Sequence, residues 1–579
     1  MFISNVKIKN FRNFKEVNVN LFPFSILIGE NDTGKSNFIQ AINLVLFNKS
    51  QNYFSKILFR DDFNDISVME FYELLSQKGD FTQQDCYDLL PRIEVTVTFD
   101  NIDALGEETL AIVNNWIIKD KETGKDVAKI KYTFYPLNNK KEEIFKFCKS
   151  SLEKNKFLIP AEYYDYQIIS LSDNKKVDSD ELKRVNIMTI DAERDESSIS
   201  LVNSRKNSIL PKMLKDNLKE EDKVDMVEIY NNMVDSIIKI NGINTLKNLF
   251  NESFNKILVD DDELIFLPNS DNYNDLLFSL KLGLNQKNIE TKGLGTKNLV
   301  LTSLLLSKYI SECGIFNLIC IEEPEAHLSR TLLNKLINYL EDVRKESDIN
   351  KKRQIIITTH SSYLINKLNI QNVVILKNDN IYNLSTVSDD TSTFFSKVPN
   401  YELLDILFLK KIILVEGPSE EIFINTILAH KKLKGEAQVL SINGISFKRY
   451  IEVWKVKKDL EYYKEYSLGI ITDSDANPNR IEEYKELADS KKNVYVGITD
   501  KYRRTFELEL IHSNKSYLEK LFSKKDKKLE DYMTESSNKT ICALKLSESI
   551  FENQEENFIV PPYIDNVLKK VIGEKYDKV

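Results

Sequence analysis

Cysteine, histidine and glycine are scarce in this chain of 579 residues, which has five, four and 16 of them, respectively. The five cysteines form no C-x-x-C pair and stand far apart, at Cys86, Cys148, Cys313, Cys320 and Cys542. A zinc site needs clustered cysteine or histidine, and a disulfide framework needs denser cysteine, so the sequence indicates neither. We therefore expect the protein in the reducing cytoplasm.

A surplus of positive charge is also missing. The 80 lysines and arginines are outnumbered by 89 aspartates and glutamates, which gives a net charge of −9. This balance excludes a uniformly basic protein that coats nucleic acid, so any surface for nucleic acid must be a local patch. Lys455, Lys457 and Lys458 form one candidate patch and residues 524–528 a second, although such runs are equally typical of solvated surfaces.

Long apolar runs are absent as well. No uninterrupted apolar stretch approaches the length that crosses a membrane, and the N-terminus, MFISNVKIKNFRNF, carries charge where a signal peptide would be apolar. We expect no membrane insertion. The chain is too long for a single hydrophobic core and is expected to divide into about three domains.

The sequence does contain a nucleotide-binding loop, within residues 24–47. Its glycines, lysine and serine have the spacing G-x-x-x-x-G-K-S, after an apolar run that predicts a strand and before apolar positions that predict one helical face. Backbone N–H groups of such a loop bind phosphate, the lysine reaches the β- and γ-phosphates, and the serine binds magnesium. A plain glycine turn is the alternative, and the scarcity of glycine argues against it. The predicted ATP-binding residues are Gly29, Asn31, Gly34, Lys35 and Ser36.

A second glycine-rich turn, KGLGTKN, opens an apolar helix and contains Gly293 and Gly295. It resembles the signature loop of ABC-type ATPases, and a turn of this kind favours anion binding; a plain helix-capping turn is the alternative. In ABC-type heads this loop closes on the nucleotide of another subunit, so a working site would need at least a dimer. The glutamine loop of such heads stays unassigned, because Gln77, Gln83 and Gln84 compete for it.

Two acidic residues follow the next predicted strand, residues 316–321. Glu322 is expected to bind magnesium, where most ATPases have aspartate, and Glu323 is expected to orient and deprotonate the attacking water. A further predicted strand, 354–359, ends at His360, which fits the switch histidine that contacts the γ-phosphate in ABC-type heads. Without the nucleotide loop, these side chains would be interpreted as helix or turn caps.

A helical and charged pattern covers residues 197–255, between the ATPase motifs. Apolar side chains recur there at spacings of three and four, at Val227, Tyr230, Val234, Ile237 and Ile238. This pattern is typical of an amphipathic packing face, and an inserted helical arm used for dimerisation would also show it. Of these two alternatives we favour the arm.

Carboxylates follow two predicted parallel strands in the last third of the chain. The strand 412–415 leads into Glu416, and the strand 468–472 leads into Asp473 and Asp475. Because the carboxyl ends of parallel strands meet at one sheet edge, these like charges repel each other unless a divalent cation binds between them. Oxygen ligands without histidine or cysteine favour Mg²⁺ or Mn²⁺ over zinc. Acidic loop residues on a generic α/β domain are the alternative.

The motifs IKNFRNF, GENDTGKS, CIEEPEAHL, TTHSS, LVEGPSE and ITDSDAN occur in the order found in nucleases of the OLD (overcoming lysogenisation defect) family, which this chain resembles. The resemblance implies a Toprim domain in which Glu416, Glu420, Asp473 and Asp475 bind metal. It also implies a late acidic pair for a second metal and a lysine that steadies the scissile phosphate. By position these are Glu507, Glu509 and Lys539, with Lys545 as a competing lysine.

The predicted fold class is α/β: an ABC-type P-loop ATPase head with an inserted helical arm, followed by a Toprim α/β domain. The first part of the ATPase is assigned to residues 1–195, the arm to 196–265, the second part of the ATPase to 266–400, and the Toprim domain with a C-terminal helical extension to 401–579. A polar, turn-rich stretch at 385–400 predicts a linker between the two chemistries.

The expected function is that of an ATP-binding endonuclease, dependent on Mg²⁺ or Mn²⁺, that cuts double-stranded DNA and is gated by ATP. The chain looks most like the nuclease subunits of Gabija-type antiphage systems, which work beside a UvrD-like helicase, and a homo-oligomer (a dimer or tetramer of dimers) is expected. The alternative is a RecF-like ATP-dependent DNA-binding clamp or sensor with a non-catalytic Toprim domain. A topoisomerase would need a catalytic tyrosine domain, and none of the 26 tyrosines stands out in sequence. The residues expected to carry the chemistry are Glu416, Asp473, Asp475, Lys539 and Glu323.

Overall fold

A computed structural model provides the structure of the chain. It describes residues 1–46, 56–120, 124–191, 209–254, 277, 283–284, 287–311, 314–345, 353–361, 364, 369–377, 380–397, 403–444, 446–456, 465–475, 477–522, 528–552 and 558–577. The chain divides into two compact units, one formed by Met1–Val185 together with Arg353–Val579 and the other by Asn186–Lys352. The domain boundaries near 195, 265 and 400 lie outside the described residues, so the four-part division stays a prediction.

The strands are β1 (Phe2–Phe11), β2 (Phe14–Asn20), β3 (Phe24–Gly29), β4 (Ile93–Asp100), β5 (Ile117–Lys119), β6 (Asp126–Pro136), β7 (Tyr164–Ser170), β8 (Val185–Ile190), β9 (Gly283–Leu284), β10 (Lys287–Asn288), β11 (Phe316–Glu322), β12 (Gln354–Thr359), β13 (Val373–Lys377), β14 (Asn380–Asn383), β15 (Lys411–Val415), β16 (Gln438–Ser441), β17 (Ser467–Thr472) and β18 (Val494–Ile498).

The helices are α1 (Lys35–Leu46), α2 (Asp65–Lys78), α3 (Gln83–Leu89), α4 (Glu107–Val113), α5 (Lys141–Glu153), α6 (Ser179–Lys183), α7 (Ile209–Asn217), α8 (Glu220–Ile238), α9 (Asn241–Phe254), α10 (Leu294–Ser311), α11 (Arg330–Arg344), α12 (Asp389–Lys397), α13 (Leu403–Phe408), α14 (Pro418–His430), α15 (Phe447–Lys455), α16 (Pro478–Leu487), α17 (Phe506–Leu521), α18 (Leu529–Thr534), α19 (Lys539–Glu552), α20 (Pro562–Ile572) and α21 (Glu574–Asp577).

The first unit opens with an antiparallel sheet in the strand order β2-β1-β4-β6-β5, with β7 paired to β6. Val6 lies opposite Val19 across β1 and β2, and these inward-facing side chains are buried. Lys7 and Lys9 point outward and are exposed. The alternating pattern at the N-terminus therefore predicted two half-buried antiparallel strands, and this prediction is confirmed.

A second sheet of this unit carries the nucleotide loop, with strands in the order β14-β13-β3-β12. The central strand β3 runs parallel to both β12 and β13, and each of its residues is buried. A strand that is covered on both faces needs a continuous apolar sequence, which is why FSILIG does not alternate.

The third sheet of the unit is entirely parallel and has the order β16-β15-β17-β18. Helix α20 packs against β17 and β18. Glycines in the two strands allow this close approach, because a Cβ at Gly469 would lie 2.7 Å from Val567 Cγ1, and a Cβ at Gly497 would lie 2.5 Å from the backbone oxygen of Tyr563. Because β15 and β17 pair in parallel, their carboxyl ends lie side by side at one edge of this sheet.

The second unit contains β8 and β11 side by side and the helices α7 to α11. Every residue of β11 is buried, as its apolar sequence predicted. Helix α8 has no buried residue within the described part of the chain. Val224, Ile229, Met233 and Ile237 are exposed, whereas the other residues of the predicted apolar face are half-buried: Val227, Tyr230, Val234 and Ile238.

The expectation that residues 385–400 are turn-rich is wrong for most of the stretch, and their role as a linker between domains stays a prediction. Asp389–Lys397 forms the helix α12, in which Thr391 and Phe395 are buried. Two contacts order it: the Phe395 ring packs edge-on against Tyr450, 5.2 Å away, and Glu452 accepts hydrogen bonds from the amide of Ser388 and the hydroxyl of Thr391. The polar composition that suggested a linker is the set of groups that caps this helix.

No helix in the described ranges is long and apolar enough to cross a membrane.

Candidate functional site

The predicted nucleotide loop lies between β3 and α1 with the expected geometry. Lys35 is buried and its Nζ donates to the backbone oxygens of Gly29, at 3.0 Å, and Glu30, at 2.9 Å. Gly34 has φ +96°, a conformation that favours glycine, and a Cβ there would lie 2.2 Å from Asn13 Nδ2. The loop is a compact turn at the N-terminus of a helix, which is the arrangement that binds phosphate.

Residues that sequence reasoning did not assign to the site support this loop from the first strands. Asn13 donates to the backbone oxygen of Thr33 at 2.9 Å and accepts from Asn37 on α1 at 2.9 Å. Arg12, within the motif IKNFRNF, donates to Asn37 at 2.8 Å and to Asp62 at 2.9 Å. The turn between β1 and β2 therefore fixes the start of α1.

His360 follows β12 directly, and β12 pairs in parallel with β3, Thr359 standing opposite Ile28. His360 therefore lies at the sheet edge where β3 ends and the nucleotide loop begins. This position agrees with contact to a bound γ-phosphate, a role that stays a prediction. The competing glutamines Gln77, Gln83 and Gln84 are exposed on α2 and α3.

Glu322 and Glu323 lie in the second unit. Glu322 is the last residue of the buried strand β11 and is itself buried, and Glu323 has φ +42°, so the chain turns sharply at the strand end. Gly295 approaches the same turn, because a Cβ on it would lie 2.3 Å from the backbone oxygen of His327. A Cβ on Gly293 would meet no atom within 4 Å. Close packing against the turn after β11 excludes a side chain at position 295. No such contact explains the glycine at position 293.

The structure brings the predicted Toprim carboxylates to one edge of the parallel sheet. Glu416 follows β15 and accepts hydrogen bonds from the Asp473 amide, at 2.8 Å, and from the Thr472 hydroxyl. Asp473 is buried, whereas the side chain of Asp475 is 58% exposed and its residue adopts φ +49°. Glu416 and Asp473 therefore sit inside the edge and Asp475 at its rim.

The carboxylates at this edge are buried and lie close to one another, and both effects raise their pKa values. Burial raises the pKa of Asp473 to about 9, and the neighbouring charges of Glu416, Glu420 and Glu507 add to the shift. Burial also raises the pKa of Glu420, on α14, to about 7, with Glu507 and Glu416 contributing. These four carboxylates, from different elements, act on one another as a single cluster.

The late acidic pair and the lysine reach the same cluster from helices α17 and α19. Lys539 Nζ lies 3.0 Å from Glu507 Oε1, and the second oxygen of Glu507 is buried with no hydrogen-bond partner among the described residues. Burial lowers the pKa of Lys539, but the carboxylates of Glu507, Asp473 and Glu420 outweigh it and raise the pKa overall. Lys545 is exposed on the same helix, so the geometry favours Lys539 of the two competing lysines.

Glu509 faces a different set of partners. Its Oε1 accepts from the amide of Asp500 at 3.0 Å, and its Oε2 accepts from Arg503 Nε at 3.0 Å. Both oxygens thus hold the loop between β18 and α17. Its metal-binding role stays a prediction.

Arg480, which sequence reasoning missed, pairs with two carboxylates at this sheet edge, Glu416 and Asp475. It is the third residue of α16, its side chain is 8% exposed, and its guanidinium donates to Glu416 Oε1, Asp475 Oδ2 and Thr472 Oγ1. Within the part of the chain that the structure describes, no group of three or more histidine, cysteine or carboxylate side chains is arranged to hold a metal ion. In this arrangement Glu416 and Asp475 pair with Arg480, Glu507 pairs with Lys539, and Glu509 pairs with Arg503.

Tyr563, at the start of α20, is a second residue that the sequence did not single out. Its hydroxyl is buried and has no hydrogen-bond partner among the described residues. Burial, followed by the carboxylates of Asp473, Glu420, Glu509 and Glu507, holds the pKa of the phenol well above its usual value. The phenol is therefore a neutral donor beside the acidic cluster. A tyrosine after two prolines carries no sequence pattern that would have revealed this.

The basic patches contribute little to the described structure. Lys457, Lys458 and most of 524–528 lie outside the described residues. Lys455 pairs with Asp489 at 3.7 Å. The proposed DNA contacts of these patches stay predictions.

Comparison with known families divides the chain into the same two chemistries. Residues 1–365 match the family described as AAA ATPase domain. Residues 407–475 match the family described as overcoming lysogenization defect protein-like, TOPRIM domain. These two matches confirm the fold class and point to nucleotide and divalent metal use.

Individual relatives extend over both parts. Endonuclease GajA of Bacillus cereus strain HuB5-5 is 24% identical over 678 aligned positions, which cover 100% of this chain and 90% of that protein. Endonuclease GajA of Bacillus cereus strain VD045 is 23% identical, over 78% of this chain and 72% of that protein. Among solved structures, Stu0660 of Streptococcus thermophilus is 13% identical with a TM-score of 0.33, over 79% of this chain and 94% of that one.

Proposed function

This chain belongs to the AAA ATPase domain family and continues into an OLD-like Toprim domain, and from that premise we propose that it is a metal-dependent DNA endonuclease regulated by ATP. The observation that carries the proposal is the cluster of Glu416, Glu420, Asp473 and Glu507 beside Lys539 at one edge of a parallel sheet. Ligands of open α/β sheets bind at such an edge, outside the carboxyl ends of the strands. Likeness to two endonucleases named GajA supports the same activity and a role in antiphage defence in the cytoplasm.

The side chains at this edge fit a divalent cation in chemical type. All of the carboxylates offer oxygen atoms as metal ligands. One buried Glu507 oxygen has no hydrogen-bond partner among the described residues, and the carboxylates raise one another's pKa values. Glu416, Asp473 and Asp475 would hold one Mg²⁺ or Mn²⁺, and Glu420, Glu507 and Glu509 would complete a second site. When bound, such ions supply Lewis-acid activation of the attacking water and neutralise charge on the leaving oxygen.

Lys539 is the group that would steady the scissile phosphate. Its ammonium is anchored by Glu507 at 3.0 Å, while 35% of its side chain is exposed. It can therefore meet a DNA phosphate from the solvent side without leaving the cluster. The positive charge of Lys539 thus offsets the negative charge of the carboxylates at the point where the negatively charged DNA backbone approaches.

The ATPase part would bind ATP through the loop of Gly29, Asn31, Gly34, Lys35 and Ser36. Ser36 and Glu322 would each bind magnesium, Glu323 would orient the attacking water, and His360 would contact the γ-phosphate. The turn with Gly293 and Gly295 would close on the nucleotide of a second subunit.

Such a site requires a homo-oligomer, and the exposed apolar side chains of α8 favour an arm that pairs between subunits over a face packed within the chain. A dimer or a tetramer of dimers satisfies both requirements. Double-stranded DNA is the proposed substrate, and a UvrD-like helicase is the proposed partner.

Nicking of supercoiled plasmid by the purified protein, with Mg²⁺ or Mn²⁺ and with or without ATP, tests the proposal. Glu416→Gln and Asp473→Asn keep side-chain shape and remove the charges that hold the cation, so we expect cleavage to fall by about 100-fold or more. Lys545→Ala, an exposed change on α19, is the matched control and should cut like the wild type. Undiminished nicking by either charge variant would refute the assignment of the site.

The second candidate is a RecF-like DNA-binding clamp with a non-catalytic Toprim domain. The neutralisation of the carboxylates by Arg480 and Lys539 favours it, because an acidic cluster that only stabilises a fold needs such partners. The same plasmid assay separates the two functions. A clamp would bind DNA in response to ATP and would leave the plasmid supercoiled at every divalent cation concentration.

A further inference from the structure

Arg480 contacts the Toprim cluster through a buried guanidinium. Its Nη2 lies 2.5 Å from Glu416 Oε1 and 3.0 Å from Thr472 Oγ1, and its Nη1 donates to Asp475 Oδ2. One planar cation therefore bridges a carboxylate that follows β15 and a carboxylate that follows β17. A planar guanidinium can donate to two oxygens at once, which a lysine ammonium in its place would not reproduce.

We infer that Arg480 is an internal cation that competes with the divalent ion for Glu416 and Asp475, and so sets the metal affinity of the Toprim site. The inference rests on the proposed function, because it concerns the same carboxylates. A guanidinium and a divalent cation bind the same kind of oxygen, so an ion that takes Glu416 Oε1 requires the Arg480 contact to that oxygen to be given up. Arg480 is a positioning residue in this scheme and touches neither substrate nor the reacting atoms.

The surroundings of Arg480 allow this exchange. Its Nε is buried and has no hydrogen-bond partner among the described residues, so the bridging arrangement leaves one donor unsatisfied. The ring of Tyr484, one turn along α16, lies 5.6 Å from the guanidinium carbon. Asp475 is at the exposed rim, with a side chain that is 58% exposed. The face of the Tyr484 ring therefore remains a partner for the guanidinium when an ion takes its carboxylate oxygens.

The bridge also explains how the carboxylates are kept close together. Glu416 and Asp473 belong to a cluster in which burial and like charge hold the pKa of Asp473 high. A positive charge among them reduces the repulsion, and its removal would leave a site that gains more from a divalent ion. Arg480 should thus stabilise the fold when no ion is bound and weaken binding of the ion.

Mn²⁺ binding to the full-length protein without DNA and ATP tests the inference, measured by electron paramagnetic resonance of free Mn²⁺ and by calorimetry. Arg480→Gln should lower the Kd for Mn²⁺ by about tenfold or more, as expected when a close charge pair is lost. Arg480→Lys keeps the positive charge but loses the two-oxygen contact of the guanidinium. Its Kd for Mn²⁺ should lie between those of the wild type and Arg480→Gln. The matched control is Arg449→Gln, in the same domain, whose arginine contacts Thr391 at 3.1 Å, outside the cluster. Its Kd should equal that of the wild type.

Thermal unfolding gives a second readout that separates competition from a purely structural role. Arg480→Gln should melt below the wild type without Mn²⁺, and saturating Mn²⁺ should close the gap. The inference is overturned if Arg480→Gln melts below the wild type and binds Mn²⁺ equally well or more weakly. If the glutamine variant does not fold, the same comparison is made with Arg480→Lys. If the wild type cuts plasmid yet both variants bind Mn²⁺ as it does, the inference fails alone. If no protein binds Mn²⁺ and none cuts, the proposed function fails with it.

Discussion

Replacing Gly497 by alanine should destabilise the Toprim domain because the new methyl group would meet backbone. The added Cβ would lie 2.5 Å from the backbone oxygen of Tyr563 and 2.8 Å from Val567 Cγ2. Real Cβ atoms essentially never come within 3.0 Å of such a neighbour, so α20 would have to retreat by at least about 0.5 Å. That helix supplies Leu568 and Val571 to the domain core, where both are buried.

Overpacking of this kind costs roughly 1–3 kcal/mol, and about 2 kcal/mol corresponds to a fall of roughly 4–8 °C in the melting temperature of a domain of this size. Differential scanning calorimetry with hydrogen exchange of α20 measures both the cost and its location. The same shift would also move Tyr563, whose backbone makes the contact, away from the acidic cluster.

Gly469→Ala is the matched comparison, because its Cβ would meet only side-chain methyls, 2.7 Å from Val567 Cγ1 and 2.9 Å from Val571 Cγ2. We expect a smaller cost, of about 1 kcal/mol, and partial rescue by Val567→Ala in a double-mutant cycle. The same truncation should barely rescue Gly497→Ala, since the carbonyl remains. A Gly497→Ala protein that melts with the wild type, or that Val567→Ala rescues fully, would refute the reasoning.

Two further predictions concern the proposed sites. Lys35→Ala removes the ammonium that would reach the phosphates, so we expect binding of a fluorescent ATP analogue to weaken by about tenfold or more and cleavage to lose its response to ATP; a variant that responds to ATP like the wild type would argue against gating through this loop. Lys539→Ala should reduce the plasmid-nicking rate by about 100-fold, because a phosphate contact that strengthens in the transition state is lost, whereas Lys545→Ala should cut normally; equal rates for the two variants would remove Lys539 from the mechanism.

Linear sequence was sufficient to predict the buried strands and the position of the polar side chains at their carboxyl ends. Apolar runs at β3, β11, β12, β15 and β17 predicted strands because a buried parallel strand must be apolar throughout. The side chains after these strands were then located by the rule that carboxyl ends of parallel strands share an edge. Glu416 and Asp473 meet for that reason, whereas the hydrogen bond from the Asp473 amide to Glu416 is seen only in the structure.

Composition did not predict the structure of residues 385–400, because a polar stretch can form either turns or a capped helix. The stretch 385–400 is polar, and polarity predicts a linker unless its hydroxyls find partners elsewhere. Glu452, far along the chain on α15, accepts hydrogen bonds from Ser388 and Thr391 at the start of the helix Asp389–Lys397. No property of the stretch itself contains that information.

Spacing within a few residues was enough to specify the nucleotide loop, the order of the two chemistries and the strand ends that carry carboxylates. Of the cations that pair with those carboxylates, Lys539 was expected only from the family resemblance, and Arg480 and Arg503 became known only from the folded chain. They pair with Glu507, Glu416 and Glu509, respectively, from separate helical and loop segments, and lysine and arginine are too frequent in the chain for spacing alone to select them. The identity of the charges that balance a buried cluster is set by packing, since a few ångströms of burial change the strength of an ion pair several-fold.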